Sequence, residues 1–279
     1  MRIGLALGGG GVRGLAHLRV LEVLDEMGVK PSLIVGTSMG AIVGSMYAAG
    51  YSGSQLREGV RELIISKEDR PGDLWRRKSS LLKWFQFFRL KNGRQAVLSP
   101  NGFLEFLLEN MGVKTFEELK IPFRAIATDF YREEEVVFSS GDILPAIKAS
   151  MSIPGVFEPV VHEGRVLVDG GVVNNLPYRD LKKECDAVIA VDVIPSRDPE
   201  ETDPPSLTDS VMGMFDSLMN EVVRFKLRES PPDIYYRPDL HGVRTLDFDK
   251  IEQVYKQTDE SIDRFREDLK ALLESKGGG

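Results

Sequence analysis

The residues most able to do chemistry sit where two apolar runs break into glycine. Ile3 to Leu7 leads into Gly8-Gly9-Gly10-Gly11-Val12-Arg13-Gly14, and Leu33 to Val35 leads into Gly36-Thr37-Ser38-Met39-Gly40. Each run has the length and composition of a buried strand, and each glycine motif precedes a helical pattern. Small residues on both sides of a serine let the backbone turn sharply from strand to helix and leave the hydroxyl exposed, which is the geometry of a nucleophile elbow. Ser38 is therefore the candidate nucleophile. The first loop supplies the complement. Consecutive glycines ahead of a helix let several N–H groups converge with no side chain in the way, and the helix N-terminus adds positive potential. Such a loop can act as an oxyanion hole, and one such donor lowers an acyl-transfer barrier by roughly 2.7–4 kcal/mol. A third motif, Asp169-Gly170-Gly171, closes the strand pattern Arg165 to Val168. An acid held at a strand end while the backbone turns away suits a general base.

Competing readings of the same residues are weaker. Gly9, Gly11 and Gly14 match the dinucleotide fingerprint G-x-G-x-x-G, but that fold needs an acid at the end of the second strand, where Val35-Gly36-Thr37-Ser38 stands instead. No Gly-Lys follows the glycines, so a nucleotide phosphate loop fails. Ser38, Asp169 or Asp192, and His241 occur in the chain order of an α/β-hydrolase triad. His241-Gly242 lies in a polar stretch that reads as an ordinary surface loop, and His17 reads as a packing histidine. Glu133-Glu134-Glu135 looks like a solvated hairpin turn, with no histidine or further acid at ligand spacing, so neither a metal nor a cofactor is assigned.

The elements that must hold these motifs follow from periodicity. A helical stripe runs from Leu15 to Met27 before Gly28, a small-residue helix from Met39 to Gly50, and an amphipathic helix over 55–66. Short helical pieces are expected at 103–108 and 116–119, a strand at 123–128, a helix at 142–150 with Asp142 as N-cap, a hairpin around Glu163-Gly164, and strands at 187–193 and 234–236. Helix 207–228 carries more apolar surface than one stripe requires, which suits a mobile lid or the contact of a homodimer, and an amphipathic helix from Ile251 to Leu273 closes the chain.

The 279 residues suit one domain over 1–276, with 195–205 a surface loop and 277–279 a flexible tail. A net charge of −7 argues against a general nucleic-acid binder. The single Cys185 excludes an internal disulfide, and Met1-Arg2-Ile3-Gly4 passes straight into a strand without a secretory leader, so a cytoplasmic protein is expected. The uncharged stretch Pro31 to Tyr51 has the length of a membrane span, but its glycines, serines and elbow fit a buried strand and helix better. Segment 70–94 departs from the acidic average: eight cations against Asp73, interleaved with Trp75, Trp84, Phe85, Phe87 and Phe88. Such a segment is a candidate lid or membrane-contact face, which would place the protein peripherally at the inner face of a membrane.

Taken together, the glycine loop, Gly36-Thr37-Ser38-Met39-Gly40 and Asp169-Gly170-Gly171 resemble, in order, the motifs of the patatin-like phospholipases in their compact bacterial form, over roughly residues 1 to 250. The resemblance implies a three-layer α/β/α sandwich with a mostly parallel central sheet and a Ser-Asp dyad of Ser38 and Asp169. It also implies an oxyanion hole from the Gly9 to Gly11 amides, supported by Arg13, Gly14, Gly36, Gly40, Gly170 and Gly171. The implied activity is metal-independent lipid acyl hydrolysis of the phospholipase A, lysophospholipase or carboxylesterase type, with a phospholipid or other acyl-ester lipid as substrate. Asp-Gly-Gly replaces the commoner Asp-Gly-Ala ending. Arg13 would steer an anionic headgroup or anchor its loop. A lipid-binding module using the same pocket without turnover is the alternative from another class.

Overall fold

The computed structural model describes residues 1–65, 112–195, 202 and 204–277. The basic aromatic segment 70–94 with its five named aromatics, the helical piece 103–108, and most of loop 195–205 lie outside the described residues.

Eight strands form one sheet: β1 (Ile3–Leu7), β2 (Leu33–Thr37), β3 (Phe123–Asp129), β4 (Glu134–Phe138), β5 (Val160–His162), β6 (Arg165–Asp169), β7 (Ala187–Val191) and β8 (Ile234–Tyr236). Five of them run parallel in the order β3-β2-β1-β7-β8, and β4, β5 and β6 join antiparallel. The helices are α1 (His17–Glu26), α2 (Met39–Ala49), α3 (Gly53–Ile65), α4 (Ile143–Ser150), the short α5 (Gly171–Asn174) and α6 (Leu181–Glu184), α7 (Leu207–Glu229) and α8 (Ile251–Gly277).

Strand alternation sorts the core into two layers. Leu5, Leu7, Ile34, Ile189 and Val191 pack with buried residues of α1, α2, α3 and α8. Their neighbours Ala6, Val35, Val188 and Ala190 pack on the opposite face with Leu181 of α6 and Val223 of α7. This is the expected sandwich, with a mostly parallel sheet between helical layers. Because β1, β2 and β7 are covered on both faces, they read as continuous apolar runs. The uncharged stretch 31–51 is β2 and α2, and among the described residues no helix is long and apolar enough to cross a membrane.

Two expectations need local correction. The loop after β1 enters a 3-10 turn, Gly11–Ala16, before α1 begins at His17. Asp142 occupies the N-cap position of α4, but its side chain makes no capping bond, and its backbone instead bridges to Thr115.

The two glycines around the serine are required by close packing. A Cβ on Gly40 would stand 2.1 Å from the Leu7 carbonyl oxygen and 2.8 Å from that of Gly8, and one on Gly36 would stand 2.4 Å from the Gly40 oxygen. All three obstacles are backbone, so nothing can swing aside. Gly40→Ala is expected to destabilise the fold by at least about 2 kcal/mol in denaturant unfolding; a midpoint equal to that of the parent protein would show that α2 does not pack on the end of β1 as described.

Candidate active site

The site is built by an arrangement of strand ends. Residues 125 and 126 of β3 pair with both β2 and β4, and residues 127–129 pair with both β4 and β6. A strand has two edges, so β4 takes one, and β2 and β6 must share the other. They meet head-on there, since Thr37 pairs with Ile126 and Asp169 with Ala127. The chain leaving β2 is Ser38 and the last residue of β6 is Asp169, so the register itself brings nucleophile and base together.

Ser38 sits in the turn with φ 55° and ψ −122°, a region costly for a residue with a Cβ. Its N–H donates to Ser150 Oγ at 2.9 Å, and its carbonyl accepts the N–H groups of Ala41 and Ile42 as α2 begins. The Asp169 N–H donates to the Ser152 carbonyl at 2.9 Å and the Gly170 N–H to that of Ser150, so the end of α4 braces both catalytic candidates. Thr128 Oγ1 donates to the Asp169 carbonyl at 3.0 Å, and the Gly171 N–H donates to Asp169 Oδ1 at 2.7 Å. Burial pushes the Asp169 carboxyl up to about 6; hydrogen bonds from the Ser38 hydroxyl and the Gly171 amide offset part of that rise.

Ser150 had no role in the sequence reading, yet it holds the strained elbow. Ser150→Ala leaves the buried Ser38 N–H without its acceptor, which costs about 1–3 kcal/mol, and the looser hydroxyl is expected to lower kcat about tenfold. Steady-state kinetics on a soluble ester would show this as a kcat effect with KM nearly unchanged; an unaltered kcat would remove Ser150 from the account.

The glycine loop needs one revision. The Gly8 N–H donates to the Val191 carbonyl at 3.0 Å and the Gly9 N–H to the Asn175 carbonyl at 3.2 Å, while Asn175 Nδ2 donates to the Gly9 carbonyl at 3.1 Å. Gly9 is thus pinned on both sides and is not a free donor. Gly10 and Gly11 line the cavity with Ser38 and Asp169, and their amides have no acceptor among the described residues. Gly11 has φ 59°, and a Cβ there would meet the Thr245 carbonyl oxygen at 2.1 Å. The cavity measures about 60 Å³, room for an ester carbonyl and a water, with Ile153, Pro154, Met212, Phe215 and Met219 as apolar walls.

Arg13 is 2% exposed and anchors this loop. Its Nε donates to the Gly10 carbonyl at 3.1 Å, which fixes the Gly10-Gly11 peptide plane and turns the Gly11 N–H away from that carbonyl. The guanidinium forks onto Asp216 of α7 at 2.9 and 3.0 Å and donates to Thr245 Oγ1 at 2.7 Å. Four of its five N–H donors are taken by the protein, which favours the anchoring role over headgroup steering.

No histidine lines the cavity among the described residues. His241 is on the surface, its Nε2 2.7 Å from Asp239. His17 is fully buried; its Nε2–H donates to the Gly8 carbonyl at 2.8 Å, and burial pushes its pKa down to about 4, so it stays neutral. Asp192 is also buried, accepting from Tyr235 Oη at 2.8 Å and from the Ile194 N–H. The candidate triad is therefore not assembled, whereas Ser38 and Asp169 are.

The α/β/α sandwich thus sets a serine in a sharp strand-to-helix turn in one cavity with a buried carboxyl, under a glycine loop whose Gly10 and Gly11 amides have no acceptor among the described residues. The chain belongs to the patatin-like phospholipase family, whose model matches residues 5–182. Lysophospholipase NTE1 of Kluyveromyces lactis is 32% identical over 91% of this chain and 18% of its own length, and NTE1 of Saccharomyces cerevisiae is 29% identical over 91% and 16%. The chain thus spans under a fifth of the length of these relatives. VipD from Legionella pneumophila shares the fold, with a TM-score of 0.53 at 14% identity, covering 95% of this chain and 66% of that one.

Proposed function

We propose that the chain hydrolyses acyl ester bonds of phospholipids or lysophospholipids through Ser38 and Asp169. The observation that carries this reading is the Ser38 hydroxyl, held in a strained elbow and lining, together with the buried Asp169 carboxyl, the same cavity as Gly10 and Gly11.

Asp169 takes the hydroxyl proton as Ser38 Oγ attacks the ester carbonyl, and the oxygen that becomes negative accepts the Gly10 and Gly11 N–H groups. Collapse expels the alcohol, a lysolipid or a headgroup-bearing glycerol, with the proton from Asp169, and leaves the acyl group on Ser38. Water then gives a proton to Asp169 and attacks the acyl-enzyme; as the Ser38 Oγ–acyl bond breaks, Asp169 returns the proton to Ser38 Oγ and the fatty acid leaves, restoring both residues. An ordinary aspartate is a weak base for this work; a value of about 6 makes Asp169 a stronger one that is still ionised at neutral pH. Esters suit such a dyad because their alkoxide leaving groups need less protonation than an amine. The names of the NTE1 relatives support a lysolipid among the substrates. Such substrates reside in membranes, which supports a peripheral location at a membrane surface.

Incubation with mixed phospholipids and lysophospholipids, followed by mass spectrometry of the products, should show free fatty acid and the matching deacylated lipid. A folded protein that binds these lipids but releases no fatty acid would favour the non-catalytic binding module.

A further inference from the structure

Among the described residues, half of the exposed large apolar side chains sit on one helix. Leu207, Val211, Met214, Leu218, Val222 and Phe225 of α7 are between 41% and 82% exposed. Their spacing of three and four residues places them in a single stripe along the outer face. The inner face of the same helix carries Met212, Phe215 and Met219, which wall the Ser38 cavity. Anything that covers the outer stripe is therefore delivered beside the site.

Charge indicates what that cover is. The protein carries a net charge of −7, yet every carboxylate on α7 is neutralised by a cation. Asp209 pairs with Arg244 at 3.0 Å, Asp216 with Arg13 at 2.9 Å and Glu229 with Arg179 at 2.7 Å, and Glu221 pairs with Arg224. Arg228, exposed at the C-terminal end, has no carboxylate partner among the described residues. Among the described residues, then, the stripe has no uncompensated carboxylate on its helix and a cation without a carboxylate partner at one end, which matches a helix lying in the interfacial plane of an anionic bilayer.

We propose that α7 is the membrane-docking face of the protein, seating its outer stripe in the headgroup and acyl boundary of an anionic lipid surface while its inner face walls the site. This rests on the acyl-hydrolase reading for its purpose, but docking is measurable without turnover. The triple substitution Met214→Ser, Leu218→Ser, Val222→Ser changes only exposed positions outside the cavity wall. Partition of both proteins would be measured on vesicles of diether phosphatidylcholine and diether phosphatidylglycerol, which have no acyl ester to cleave, alongside thermal unfolding and hydrolysis of a soluble short-chain ester. The parent protein should bind, and the variant's partition coefficient should fall about tenfold or more, with unfolding and soluble-ester hydrolysis unchanged. Equal partition of the two, or no binding by the parent, would overturn the proposal. A parent dimer in light scattering that the variant loses, without vesicle binding, would assign the stripe to a second copy instead. If neither protein cleaves the soluble ester, the hydrolase reading fails, and the vesicle comparison still decides the docking face.

Discussion

Replacing Ser38 by alanine is expected to lower kcat/KM on acyl esters by about 10,000-fold or more and to leave the fold intact. The side chain faces the cavity it shares with Asp169, while the anchors of the elbow are backbone: the N–H to Ser150 and the carbonyl to Ala41 and Ile42. Alanine carries the same Cβ at φ 55° as serine, so it adds no new strain. Activity on a soluble ester and thermal unfolding, measured on one preparation, separate the two effects. Retained activity would place the nucleophile elsewhere, and loss of folding would mean that the hydroxyl is a structural group.

Asp169→Asn is expected to separate activity from stability in opposite directions. The substitution keeps the shape and an oxygen to accept the Gly171 N–H, but removes the base, at a cost of about 100- to 10,000-fold in kcat. In the parent protein kcat/KM should rise with pH through about 6, the value to which burial lifts Asp169, and the variant should lose that limb. His241→Ala, a position that does not line the cavity, should keep both the activity and the limb. Stability follows from the same shift. The native value lies above the ordinary 3.8, so Asp169 favours folding while it is protonated, and this contribution is lost as pH rises through about 6. Above that pH the native state holds a buried carboxylate at a cost of about 3 kcal/mol, from the rise of 3.8 to about 6. The variant should therefore gain stability over the parent between pH about 4 and about 7. A stability difference that stays flat across this range would show that Asp169 is not titrating in a buried environment.

The parts of this site visible in the chain were those where a residue type has almost no substitute. Gly40 and Gly36 flank the serine because the start of α2 touches the end of β1 and the end of β2 backbone to backbone, and such contacts leave glycine in the sequence. Asp169 was legible because a lone acid closes an apolar strand. The fold was legible because β1, β2 and β7 are covered on both faces and therefore read as unbroken apolar runs.

Tertiary pairing was not legible. Gly9 looks identical to Gly10 and Gly11 in sequence, and only the return of the chain at Asn175 occupies its amide. The side chains of Ser150 and Asn175 each make one hydrogen bond to a loop over a hundred residues away, which leaves no periodic signal. The sequence leaves Arg13 equally able to steer a headgroup or to anchor its loop, and the Asp216 carboxylate that favours the anchor arrives from α7, over two hundred residues away. The head-on meeting of β2 and β6 on one edge of β3, which creates the site, depends on strand register alone.

The most direct test of the account is the rate at which a fluorophosphonate ester labels the protein, read by peptide mass spectrometry at neutral pH. The geometry predicts one modified residue, Ser38, and labelling slowed about 100-fold or more by Asp169→Asn. Modification at another position, or labelling of Ser38 at the same rate in both proteins, would contradict the claim that this carboxylate activates this hydroxyl.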